Sequence, residues 1–183
     1  MSRHRSLPSA LPPTLSLALC AALLAAGTAQ AESARVLRRN AEGGTTAAAG
    51  VARSGPGGGE RMRGHRLVTD GEGNATRTRH AATEGPGGRT LERQSSTTRQ
   101  ADGTTESTRS ASAQGTAGSS QTQAQRSHAA DGSVTQQRNT TATSAATGQS
   151  VQSSTSYSSA TGATHTVNCF DASGAAMACP SRP

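Results

Sequence analysis

The chain of 183 residues has one tyrosine, one phenylalanine, no tryptophan and no lysine, so its formal charge of +7 rests on arginine alone. Too few large side chains are present to build a conventional globular core, and aromatic interleaving of the kind that stacks nucleic-acid bases is excluded. No paired carboxylates, Ser/His/Asp order or phosphate-binding loop stands out, which argues against an enzyme and against any bound cofactor or metal.

The first 31 residues read as an export signal. Arg3, His4 and Arg5 form a basic front, Leu15 to Ala26 is an apolar run, and Ala29-Gln30-Ala31 is a small-x-small site for cleavage between Ala31 and Glu32. The run is too short to serve as a membrane anchor, so no membrane span is expected after its removal. Leu19 stands where lipidation of Cys20 would want a small residue. Soluble export, to a periplasmic or extracellular location, is therefore the expectation.

Removal of Arg3 and Arg5 with the signal leaves sixteen arginines against eleven acids, a net charge near +5. The remaining large apolar residues are six valines, three leucines, two methionines, Tyr157 and Phe170. At roughly 25 cal/mol per Å² their burial supplies at most a few tens of kcal/mol, against roughly 150 to 200 kcal/mol to order the chain. Two outcomes fit that deficit. Either the chain is mostly disordered, or backbone hydrogen bonds hold it in a thin, repetitive sheet.

Residues 32–59 are Ala, Gly, Arg and Thr closing on Gly55-Pro56-Gly57-Gly58-Gly59, and they read as a flexible linker with at most a frayed helical turn over Ser33 to Arg39. From residue 60 to 150 the punctuation is regular. Gly-Pro-Gly-Gly at Gly55 returns at Gly85, and Asp-Gly pairs stand at Asp70, Asp102 and Asp131, with Ser/Thr/Gln/Arg runs of about ten residues between breaks. Such spacing predicts an all-β fold of polar antiparallel hairpins, an extended meander or a solenoid-like array. Asp-Gly suits the two-residue hairpin turn with positive φ at both central positions, which would set Arg99 opposite Glu106. Each Asp-Gly is followed at one offset by an arginine, namely Arg77, Arg109 and Arg138. These three are the candidate anion-binding residues.

Residues 151–183 form a separate C-terminal hairpin segment holding most of the bulky residues per unit length. Once Cys20 is removed, Cys169 and Cys179 are the remaining cysteines, and an exported chain with an even count is expected to pair them around the Ser173-Gly174 bend. His65, His80, His128 and His165 are scattered without ligand spacing. The reading reached from sequence is an exported, non-enzymatic, low-complexity repeat protein with a structural or adhesive role in the cell envelope or extracellular matrix. Its expected contacts are other copies, through strand edges, and anionic envelope polymers. The alternative is a disordered basic segment that binds polysaccharide, lipopolysaccharide or DNA without specificity.

Overall fold

The computed structural model describes residues 31–179 other than 42 and 56. Eleven strands follow one another: β1 (Ala31–Arg39), β2 (Thr45–Ser54), β3 (Glu60–Thr69), β4 (Ala75–Gly85), β5 (Arg89–Arg99), β6 (Thr105–Gly115), β7 (Gly118–His128), β8 (Val134–Ser144), β9 (Ser150–Ser158), β10 (Gly162–Phe170) and β11 (Ala176–Met177). They form one antiparallel sheet in chain order, and only consecutive strands touch. The expected all-β architecture of hairpin repeats is therefore an extended meander. Apart from Ala31, which opens β1, the segment read as an export signal lies outside the described residues.

Residues 32–59, expected as linker, contribute β1 and β2, and Ser33 to Arg39 are strand rather than helical turn. The reason is local. Leu37 pairs with Ala47, and Ala47 with Leu67, so the small residues of β2 lie between two strands that carry larger side chains. A run of alanine and glycine that would be loose on its own has its backbone donors and acceptors satisfied on both sides.

The turns have one residue more than expected. At Gln100-Ala101-Asp102-Gly103-Thr104 the first and last residues close the hairpin, with Gln100 N–H donating to the Thr104 carbonyl at 2.8 Å and Gly103 N–H to the Gln100 carbonyl at 3.0 Å. Gly103 has φ of 92°, and no described non-glycine residue has positive φ. This is a three-residue loop, a type I turn followed by a left-handed glycine, in which the aspartate keeps ordinary backbone geometry and only the glycine turns the corner. The extra residue shifts register by one. Arg99 therefore faces Thr105, and Glu106 faces Thr98, so the expected Arg99–Glu106 pair does not form. The same closing bonds recur at Asn40 with Gly44, Gly55 with Gly59, Ala129 with Ser133, and Asp171 with Ala175.

The sheet is a single layer. Among the described residues Cys169, at 8% exposure, is the one buried apolar side chain, while Leu37 is 75% exposed. The C-terminal segment, which holds most of the bulky residues per unit length, leaves Val151, Tyr157 and Val167 between 36% and 45% exposed. Cohesion comes instead from the backbone ladder and from hydroxyl pairs across it: Thr76 with Thr98 at 3.2 Å, Thr97 with Ser107 at 3.0 Å, Thr122 with Thr140 at 3.1 Å, and Ser156 with Thr164 at 2.6 Å. Cross-strand pairs of this kind contribute about 0.2 to 1 kcal/mol each, so they supplement the backbone ladder rather than replace it.

Candidate functional site

In an antiparallel sheet, directly paired residues put their side chains on the same face, so the register sorts every strand residue onto one of two faces. One face carries Arg35, Arg39, Arg53, Arg61, Arg63, Arg77, Arg79, Arg89, Arg93, Arg99, Arg109, Arg126 and Arg138. Of the fifteen described arginines only Arg38 and Arg66 lie on the other. All five strand glutamates, Glu32, Glu60, Glu84, Glu92 and Glu106, stand on that second face, and the described aspartates and Glu72 are in turns. Among the described residues the arginine face thus carries no strand carboxylate. Every arginine on it is exposed.

The amides sort as sharply. Gln94, Gln114, Gln121, Gln123, Gln125, Gln137, Asn139, Gln152 and Asn168 lie on the glutamate face, leaving Gln136 as the one strand amide among the arginines. One face is therefore cationic and the other amide-rich and mildly acidic.

The loop lengths explain how a simple sequence code produces this. A three-residue loop pairs odd numbers with odd, so from Arg35 to Arg109 the arginine face is odd-numbered and the glutamates, from Glu32 to Glu106, are all even. The two-residue loop between Gly115 and Gly118 flips the parity, and Arg126 and Arg138, both even, stay on the arginine face. That parity was present in the sequence, in Arg61/Arg63, Arg77/Arg79 and Arg89/Arg93/Arg99. Its meaning depends on knowing the loop lengths.

The three candidate arginines share the face but not one row. Arg109 pairs with Ala124 and Ala124 with Arg138, so those two are in register two strands apart. Their counterpart on β4 is Arg79, which pairs with Ser95, itself paired with Arg109; Arg77 lies two residues nearer the turn. The offset arises because the glycine that turns the corner after Asp70 is Gly73, at φ of 91°, and not Gly71. Counted from that glycine, Arg79 holds the place that Arg109 and Arg138 hold after Gly103 and Gly132.

At the turns, carboxylates hold backbone donors. Asp70 accepts from Glu72 N–H and Asn74 N–H, each at 2.9 Å, and from the Asn74 side-chain amide at 2.6 Å. Asp131 accepts from Ser133 N–H at 2.8 Å, and Asp171 from Ser173 N–H and Ala175 N–H at 2.9 Å and the Ser173 hydroxyl at 2.7 Å. The Asn74 side-chain amide first, the Ser133 N–H, and the Ser173 hydroxyl respectively hold these three carboxyls below the usual carboxylate range. A lowered folded value means that the stabilisation is complete above the unfolded value and is lost as pH falls through the folded one. The amide resonances of Asn74, Ser133 and Ala175 are expected to titrate together with their aspartates, at midpoints below the ordinary 3.8. Nuclear magnetic resonance between about pH 5 and about pH 2 reads this directly, and midpoints at the ordinary value would contradict it.

Cys169 and Cys179 sit at bonding distance, with Cα atoms 5.2 Å apart and ten residues between them in sequence. Cys169 pairs with Met177 and Phe170 with Ala176, the only two pairings of β11, so the cysteine pair holds the last strand to the sheet. Two surface depressions are open to solvent. One lies over β5 to β8 between Glu92 and Gln121, the other beside Arg35 and His65. No family model matches the sequence, and neither curated proteins nor solved structures yield a match.

Proposed function

We propose that the protein is an exported, non-enzymatic structural element of the cell envelope or extracellular matrix that works by self-association and adhesion. The observation that carries this is the open single-layer sheet. Among the described residues the outer side of β1 has no strand partner, and an unpaired edge is a template for another copy. The opposite edge is open too along β10 from Gly162 to Asn168, and β11 with the cysteine pair covers only its last two residues. Export is supported by the basic, apolar and small-residue order of positions 3 to 31, and the cysteine pair is compatible with an oxidising compartment.

Sedimentation of the purified chain tests the reading, with concentration-dependent association at constant strand content as the expected result. The double variant V36K/L37K places a cation on each face of β1 at its open edge and is expected to weaken association about fivefold, the equivalent of roughly 1 kcal/mol. A monomer at every concentration, or association untouched by the variant, defeats edge pairing. A second reading, attachment to anionic polymers, is favoured by the arginine face. A coil spectrum by circular dichroism, with the cysteines paired, would return that reading to its disordered form.

A further inference from the structure

We infer that the central row of the arginine face is a track for a linear acidic polysaccharide lying across the strands. The inference rests on the second reading above and gives it a partner. The row runs through ten strands, and its long side chains are Arg35, His65, Arg79, Arg109, Arg138 and His165. With strands about 4.8 Å apart, it spans about 43 Å.

Three features of this row select the partner. First, from β4 to β8 the cations recur at every second strand, about 10 Å apart. Between them stand Ser95 and Ala124, short enough for a chain to lie flat. A sugar ring is about as long as one strand-to-strand step, so a polyuronate, with an acid group on every sugar, sets every second one against an arginine. Second, the guanidinium fork matches a carboxylate or sulfate with two parallel hydrogen bonds, and no strand carboxylate of that face competes among the described residues. Third, the charge pitch is wrong for nucleic acid. Duplex DNA carries a charge every 1.7 Å or so and is a stiff rod that meets a sheet along one line. A single strand gains most from aromatic stacking, and the one tyrosine of this face, Tyr157, lies on β9, beyond the arginine-bearing strands.

The test compares two double variants of the full chain that remove equal charge from opposite faces. Alginate, a polyuronate, is the probe, with a short DNA duplex measured in parallel. R109Q/R138Q is expected to weaken alginate binding about tenfold, and R38Q/R66Q less than about twofold, with alginate preferred over the duplex at matched charge concentration. Equal losses from the two variants would mean that net charge alone binds, and would overturn the track. Tighter binding of the duplex, or no alginate binding at low salt, would overturn it as well. Circular dichroism checks that each variant keeps its strand signal, and R109T/R138T, with a side chain common on the neighbouring strands, replaces the glutamine pair if it does not. Sedimentation without polymer separates this from self-association, since a monomer that binds alginate through the row keeps the track and defeats edge pairing.

Discussion

Gly118→Ala is expected to open one end of the sheet between β6 and β9 at a cost of about 2 to 4 kcal/mol. Gly118 has φ of 140°, a backbone conformation that side-chain-bearing residues rarely adopt. A Cβ there would run into the backbone of Thr143 and Ala145, where Ala145 N–H donates to the Ala117 carbonyl at 3.1 Å. Nothing at this spot is the flexible end of a side chain, so relief requires the main chain of β8 to move. Because each strand touches only its chain neighbours, the damage should stay local, as in repeat proteins whose stability is a sum of nearest-neighbour terms. Amide exchange is the measurement: protection should fall at the Gly115–Gly118 and Ser144–Gln149 ends and persist in β2 to β4. Uniform loss of protection would show that the sheet melts as one unit.

The second large effect is expected from C169S/C179S. Closing a loop of this length contributes roughly 2 to 3 kcal/mol on the loop-entropy estimate. In this chain the loss falls on a strand with only two register pairs, so β11 should detach and the outer side of β10, already unpaired among the described residues from Gly162 to Asn168, should be open along its whole length. Amide exchange at Asp171 and Met177, whose N–H groups face across the β10–β11 hairpin, reads the detachment. The variant should also associate more strongly than the parent. Unchanged protection at these positions would show that the register pairs and the Asp171 turn suffice without the covalent link.

How far the sequence alone carries can be judged from these elements. The regular breaks and the β-tolerant runs between them are local properties, so all-β hairpins were legible. Register was not, because it depends on whether Asp102-Gly103 closes a loop of two residues or three, and both suit the same dipeptide. That single residue moves Glu106 from Arg99 to Thr98. The linker reading of residues 32–59 failed for a different reason: Ala47 to Gly50 have weak strand preference of their own and take their conformation from β1 and β3 on either side. As for the candidate site, all three chosen arginines lie on the cationic face, but the equivalent of Arg109 on β4 is Arg79, since the turn glycine there is Gly73. The two-faced sorting of charge spans eight strands and emerges only when every loop length is known.

The chain-order topology also has a mechanical consequence. Strand and turn together use about fifteen residues, as the pairing of Leu37 through Ala47 to Leu67 shows, yet each adds only one step of about 4.8 Å across the sheet. Drawn straight, the same fifteen residues reach about 50 Å. A pull on the two ends would therefore let the molecule pay out like a pleated tape, one hairpin at a time, lengthening about tenfold before any covalent bond bears the load. At one end the cysteine pair acts as the knot that keeps the last fold from slipping.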